Sequence, residues 1–204
     1  MIAWSIKAAI ESDLFDQVIV STDCATIAKT AESEGARVPF LRPTGLADHF
    51  TPTLPVVCHA LKELKQQGST YDTACCIYAT APFITSDFIA DGMRALSSNP
   101  EAKFAFSVTS FPAPIHRAFR IDDRGRTEMF WPENETARSQ DLPEAYHDAG
   151  QFYWGRSEAF CSETNLFCSH SIPVVIPRTS VQDIDTEEDW ERAEQLFQLK
   201  NFDA

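Results

Sequence analysis

Gln17-Val18-Ile19-Val20-Ser21-Thr22-Asp23-Cys24-Ala25-Thr26-Ile27-Ala28-Lys29-Thr30-Ala31-Glu32-Ser33-Glu34-Gly35-Ala36-Arg37-Val38-Pro39-Phe40-Leu41 is the stretch that decides the fold. Residues 17–21 are a short β-branched run and read as a buried strand. Residues 24–34 read as a helix, with Asp23 as N-cap and Gly35 as its stop. Residues 37–41 read as a second strand. Strand, helix and strand at these lengths make a βαβ unit, which implies parallel strands with a helix on one face.

The same alternation continues in both directions. Residues 2–10 form an amphipathic pattern with Ile2, Ile6, Ala9 and Ile10 on one face. Residues 53–67 carry Leu54, Val57, Leu61 and Leu64 at helical spacing and stop at Gly68. Residues 74–78 read as a third strand, buried on both faces by composition. A helix over 86–96, a strand over 103–109, strands over 147–154 and 171–176, and a closing helix over 186–199 complete the pattern. Trp190, Ala193 and Phe197 form the buried face of that last helix. The expectation is an α/β fold, one domain over residues 1–204, with a largely parallel sheet covered on both faces. Residues 111–145 break the texture: Pro112, Pro114, Pro132 and Pro143 interrupt it, and residues 117–131 read as a hairpin around Asp123-Arg124-Gly125. This segment is an excursion from the sheet, with Phe119, Met129, Phe130 and Trp131 as candidate interface groups.

At 204 residues and 44% hydrophobic content, with 15 Phe, the chain can fill a full core. Thirty acids against 17 bases give a net charge of −13. That argues against a nucleic-acid surface, which needs clustered Lys and Arg. An anionic ligand would depend on the few local bases. The sequence shows no secretory signal and no apolar run of membrane-spanning length, so the expected setting is the cytoplasm, with no membrane partner. Six Cys lack C-x-x-C or Cys/His zinc spacing, and the expectation is six reduced thiols.

Ligands of open α/β sheets sit at the carboxyl ends of the strands. Those ends carry Ser21-Thr22-Asp23, Leu41-Arg42-Pro43 and Tyr78-Ala79-Thr80-Ala81-Pro82. Val181-Gln182-Asp183-Ile184-Asp185-Thr186 adds two carboxylates two residues apart, which project to one side of an extended segment. Two close carboxylates are costly unless a cation or a proton lies between them. Mg²⁺ suits such a pair, since it is held by one or two carboxylates together with substrate phosphates. The alternative reading makes Asp183 and Asp185 loop and cap acids ahead of a helix that starts at Thr186. Asp23 is equally a helix cap or a ligand-binding residue. Hydroxyls, one Arg and acids at these ends point to a phosphate-and-metal site. Neither G-x-G-x-x-G nor G-x-x-x-x-G-K-[ST] occurs.

Taken together, residues 18–23, 38–43, 78–83, 138–142 (Arg138-Ser139-Gln140-Asp141-Leu142), 146–154 and 181–186 resemble the sugar-acid cytidylyltransferases. Most specific is His147-Asp148-Ala149-Gly150-Gln151-Phe152-Tyr153-Trp154, and the likeness spans nearly the whole chain. The resemblance implies a three-layer α/β/α, Rossmann-like nucleotidyltransferase fold. It implies attack by the anomeric hydroxyl of a nonulosonic sugar acid on the α-phosphate of CTP, with release of pyrophosphate. On matching positions, Asp183 and Asp185 would be catalytic and hold Mg²⁺. Arg42, Thr51, Thr53, Thr80 and Asp23 would bind the nucleotide. Tyr78, Arg138, Gln140, Gly150, Gln151 and Tyr153 would bind the sugar, with Arg138 on its carboxylate. Phe152 and Trp154 are read as core. A homodimer through the excursion is also implied.

Two details refine the resemblance. The Kdo-type relatives carry an acid after the strand ending in Tyr78-Ala79-Thr80-Ala81-Pro82, and this chain has none. Acylneuraminate enzymes have Asn where Ala149 stands, whereas the pseudaminic acid branch has Ala, so pseudaminic acid is the expected sugar. The family also places a strand and a basic AR-x-G-S-K loop, on the order of 20 residues, ahead of the helix that matches residues 1–5. These are absent from the 204 residues, and the expectation is little or no cytidylyltransferase activity for the chain taken alone. Two readings therefore stand: a CMP-transferring enzyme, or an impaired homologue that only binds sugar acid or nucleotide, or dimerises.

Overall fold

The structure is a computed structural model and describes residues 1–162 and 164–202. Two helices open the chain, α1 (Ile2–Glu11) and α2 (Ala25–Ser33). The N-cap of α2 is Cys24, in extended conformation, so Asp23 lies one residue outside the cap that the sequence suggests. The flanking runs 17–21 and 37–41 do not become a ladder. They share one parallel bridge, Ile19 with Arg37, made by Arg37 N–H to the Val18 carbonyl and Val20 N–H to the Arg37 carbonyl, both 2.9 Å. The next rung would need an N–H from Pro39, which has none, so the pairing stops there.

The remaining elements follow the alternation. They are α3 (Thr53–Gln66), β1 (Thr73–Ile77), α4 (Ser86–Ser97), β2 (Phe104–Ser110), β3 (Phe119–Ile121), β4 (Thr127–Met129), β5 (Tyr146–Arg156), α5 (Ser157–Phe160), β6 (Ser171–Val175) and α6 (Glu187–Phe202). The main sheet has the order β1-β5-β2-β6. β2 and β6 are parallel, while β5 runs antiparallel to both β1 and β2. Strands β1, β2 and β6 thus share one direction, and β5 opposes them, giving a mixed sheet. The reason lies in the connection. Parallel neighbours need a crossover, usually a helix, and β2 returns to β5 through residues 111–145, which hold only short 3₁₀ turns and a hairpin.

Helices cover both faces of this sheet. On one face, α4 lies against β5: Trp154 Nε1–H donates to the Ile89 carbonyl at 2.9 Å, and Phe152, Ile89, Leu96 and Ile176 are all buried. Gly92 allows that approach, since a Cβ there would stand 2.6 Å from Trp154 Cδ1. On the other face, Phe104, Ala159 and Phe160 pack with Leu54, Val57 and Leu61 of α3. The layers are α/β/α, as the alternation suggests. β1 is half-buried along its length, not buried on both faces as its composition suggests, because it is the edge of the sheet. No helix among the described residues is long and apolar enough to cross a membrane.

One expectation about cysteine is corrected. Cys58 of α3 and Cys161 after α5 are joined by a disulfide, with Cα atoms 4.9 Å apart, well inside the bridging range. Their separation of 103 residues left no local signal for the pairing. Cys75 and Cys76 are free thiols, and burial pushes Cys76 up to about 12.

The excursion carries its own sheet of β3 and β4. Asp122 Oδ1 closes the hairpin by accepting from the N–H groups of Arg124 and Arg126, each at 2.9 Å. Phe119, Ile121 and Phe130 are 56%, 70% and 57% exposed, so its apolar side chains are not used against the main sheet.

Candidate active site

A cavity of about 540 Å³ separates the extended segment 18–22 from β1. Much of its wall is apolar, but its polar groups are tied together. Arg42 Nη2 donates to the Ser21 carbonyl at 3.0 Å. The Thr53 hydroxyl, at the first residue of α3, shares a 2.5 Å hydrogen bond with the Tyr78 hydroxyl. Ser5 Oγ donates to the Tyr78 carbonyl at 2.8 Å. Thr51 also lines the cavity, held through its hydroxyl and N–H by Asp48 Oδ1. Ser21 Oγ and Arg42 Nε are buried there with no hydrogen-bond partner among the described residues. Buried polar atoms without partners carry a desolvation cost, so these two are available to a polar ligand. Four expected site residues (Arg42, Thr51, Thr53 and Tyr78) therefore share one cavity. Thr80 and Asp23 are exposed and lie outside its lining.

The acids form a separate cluster. Asp183 is held above the usual carboxylate range, first by partial burial and then by the charge of Asp185, with smaller pushes from Asp148 and Asp189. Asp189 is consumed by the helix start: its Oδ2 accepts from Thr186 N–H at 3.0 Å, and its own N–H returns to Thr186 Oγ1 at 3.3 Å. That reciprocal pattern is a capping box. Capping is thus supplied by Thr186 and Asp189, not by Asp183. Among the described residues no Lys, Arg or His forms an ion pair with Asp183 or Asp185. No group of three or more His, Cys, Asp or Glu is arranged to hold a metal among them either. Two carboxylates without an ion-pair partner among the described residues, one raised by partial burial and by the other's charge, are a donor set for a hard divalent cation whose remaining ligands come from elsewhere.

A chain of contacts joins the cavity to the acids. The rings of Tyr78 and Tyr153 have centroids 5.1 Å apart. The Tyr153 hydroxyl donates to Asp148 Oδ2 at 2.6 Å, and burial together with this carboxylate pushes the phenol up. Asp148 Oδ1 accepts from Gly150 N–H at 3.0 Å. Gly150 faces Asp183, since a Cβ on it would lie 3.4 Å from Asp183 Oδ1, and its φ of +61° is one that other residues rarely adopt.

Other expected sugar residues are placed differently. Gln151 and Tyr153 are each 2% exposed, as buried as Phe152 and Trp154, because both faces of β5 are covered. The Gln151 Nε2 donates to the Ser180 carbonyl, and its Oε1 is buried without a hydrogen-bond partner among the described residues. Arg138 lies on the excursion, exposed, in a bidentate pair with Asp141 at 2.7 and 3.1 Å. Among the described residues no hydrogen bond or ion pair links Arg138 or Gln140 to the cavity or the acids.

Sequence reasoning gave Asp148 no role. Positions 148 and 153 differ by an odd number, so a regular strand would put them on opposite faces. The bulge brings them together: Phe106 pairs with Tyr153 and Val108 with Asp148, leaving residues 149–152 opposite Ser107. A glycine inside a strand pattern is the one local hint of such a bulge.

Known proteins match this arrangement along its length. The cytidylyltransferase family model covers residues 1–203. A pseudaminic acid cytidylyltransferase from Campylobacter jejuni subsp. jejuni serotype O:2 is 39% identical over 204 residues, spanning 100% of this chain and 88% of that protein. A Helicobacter pylori protein described as pseudaminic acid cytidylyltransferase and UDP-2,4-diacetamido-2,4,6-trideoxy-beta-L-altropyranose hydrolase is 32% identical over 184 residues, 90% of this chain and 35% of that one. In fold, the chain is similar to a CMP:2-keto-3-deoxy-manno-octonic acid synthetase solved with CTP, with a TM-score of 0.64 at 11% identity, covering 96% of this chain and 88% of that one. The chain belongs to the cytidylyltransferase family, a family of nucleotidyltransferases.

Proposed function

We propose that this protein transfers CMP from CTP to a nonulosonic sugar acid, with pseudaminic acid as the substrate, and releases pyrophosphate. The observation that carries the reading is the path from the Arg42/Thr53 cavity, through Tyr78, Tyr153, Asp148 and Gly150, to Asp183 and its neighbour Asp185. A nucleotide needs a recess with polar donors at one end and charge neutralisation at its phosphates, and the two clusters offer one each. The names of the Campylobacter and Helicobacter relatives support the sugar.

In this reading Arg42, Thr51 and Thr53 take the nucleoside part, with Ser21 Oγ and Arg42 Nε gaining the partners they lack. Thr80 and Asp23 stand at the exposed rim. Asp183 and Asp185 would hold Mg²⁺, which when bound supplies charge neutralisation to the phosphates. The anomeric oxygen of the sugar bonds to the α-phosphorus as the bond to the pyrophosphate oxygen breaks. The hydroxyl proton passes to the acid pair. Phosphoryl-type transfer rests mainly on positioning and charge stabilisation, which these groups can give. On the sugar side, Gly150 borders the acids, Tyr78 stands at the cavity end of the path between nucleotide and sugar, and Gln151 and Tyr153 shape the pocket from beneath. Arg138 exchanges Asp141 for the sugar carboxylate, and Gln140 travels with it. The exposed Phe119, Ile121 and Phe130 support a homodimer through the excursion, and light scattering at micromolar concentration is expected to give twice the chain mass.

Pyrophosphate release from a matrix of four nucleoside triphosphates and several sugar acids tests the activity. CTP with pseudaminic acid is expected to exceed every other pair. Preference for Kdo or for another nucleotide would overturn the assignment.

A further inference from the structure

We infer that Asp148 is a positioning residue of this site, fixing the β5 bulge so that the Gly150 backbone stands against Asp183. This rests on the reading of Asp183 and Asp185 as the reacting pair. Three observations converge on the bulge, and the first is the carboxylate of Asp148. Its two oxygens serve two different parts of the bulge, Oδ1 the Gly150 N–H and Oδ2 the Tyr153 hydroxyl. From the opposite side, buried Ser107 Oγ accepts from the N–H groups of Gln151 and Phe152, each at 3.2 Å. Gln151 in turn ties the bulge to Ser180, three residues before Asp183, through its side-chain amide. The four residues 149–152 are thus clamped between Ser107 and Asp148. They are the β5 residues that step out of the ladder between its two paired stretches with β2.

The clamp also has a direction. Asp148 reaches Tyr153, the Tyr153 ring meets that of Tyr78 at a tilt, and Tyr78 binds Thr53 at the cavity. Loss of the Asp148 carboxylate frees Gly150 to shift relative to Asp183 while the Thr53–Tyr78 bond stays intact. A misplacement of about 1 Å at reacting groups costs roughly 100-fold in rate. Nucleotide affinity, which depends on the cavity, should not follow.

Hydrogen exchange and steady-state kinetics on Asp148→Ala, Asp148→Asn and Tyr153→Phe test this. In Asp148→Ala, amide exchange at residues 150–152 should speed up about tenfold, the scale of one hydrogen bond, with β2 and α4 unchanged. Asp148→Asn keeps an acceptor for Gly150 N–H and should restore the wild-type rate of exchange at that amide. Turnover in Asp148→Ala should fall by about 100-fold with KM for CTP within twofold, and adding Tyr153→Phe should cost no more. Unchanged exchange at 150–152 would overturn the inference, as would loss of protection across the whole sheet or a KM rising in step with the loss of kcat. If the wild type transfers CMP to no sugar acid, the functional reading falls. The exchange pattern still decides whether Asp148 clamps the bulge.

Discussion

The two sides of the Tyr78–Tyr153 contact are built by opposite means. On the cavity side, the wall is a half-buried edge strand and an extended segment held to its neighbour by one bridge. Its polar equipment is hydroxyls and a single Arg, and two of its buried polar atoms are unpartnered. On the acid side, the support is β5, buried on both faces, with a bulge clamped from two directions. Its equipment is carboxylates, with Asp183 raised above its usual range by partial burial first and by the charge of Asp185 second. Recognition is thus placed on a lightly tied wall that a ligand can complete. Charge handling is placed in the segment beside the clamped bulge of the buried strand β5, where misplacement is most costly.

The contrast predicts a ranked set of effects. Asp183→Ala with Asp185→Ala should lower kcat by at least about 1,000-fold, the scale of losing several kcal/mol of charge stabilisation, with the melting temperature preserved. Wild-type turnover in that variant would remove the acids from the chemistry. Gly92→Ala, which drives a methyl into Trp154 beneath the rigid side, should destabilise by about 1–3 kcal/mol and lower Tm by roughly 2–10 °C. An unchanged Tm would show that α4 gives way easily and that β5 is not a stiff support. Tyr78→Phe removes one hydrogen bond at the cavity and should raise KM for CTP by roughly 3- to 10-fold while kcat is kept. A kcat loss with constant KM would move Tyr78 to the other side of the comparison.

The smallest effect concerns pH. Asp183 holds its proton to higher pH when folded than its usual value of 3.8. Between those two values the folded chain binds more protons than the unfolded one, so stability falls as pH rises through that window and stays lower above it. Asp183→Asn removes this cost. In metal-free buffer its Tm should exceed wild type at pH 7, and the gap should close as pH approaches 3.8. A gap of the same size at both ends would assign the effect to packing.

Helix positions were legible in the sequence because their apolar spacing and stops are local. α1, α3, α4 and α6 begin and end within about three residues of the pattern. What the sequence left hidden depended on partners far along the chain. The ladder expected from residues 17–21 failed on a single missing N–H at Pro39. β5 runs against its neighbours because of the connection that precedes it, and Cys58 meets Cys161 only because α3 packs on α5. The site divides in the same way. Asp183 and Asp185 stand out at i and i+2, and Arg42, Thr51, Thr53 and Tyr78 do share a cavity. Asp148 was invisible because a bulge, not a regular strand, sets its face.

CMP carries the nucleoside and one phosphate but lacks the pyrophosphate, so it separates the two sides most directly. Its binding, measured by calorimetry without sugar or metal, should be within about twofold of wild type in the Asp183→Ala, Asp185→Ala variant. In the Thr53→Ala, Tyr78→Phe variant it should weaken by roughly 10-fold, the loss of about one hydrogen bond's worth of affinity. The opposite pattern, with CMP binding lost on removal of the acids and kept without Thr53 and Tyr78, would contradict the division of the site proposed for this protein.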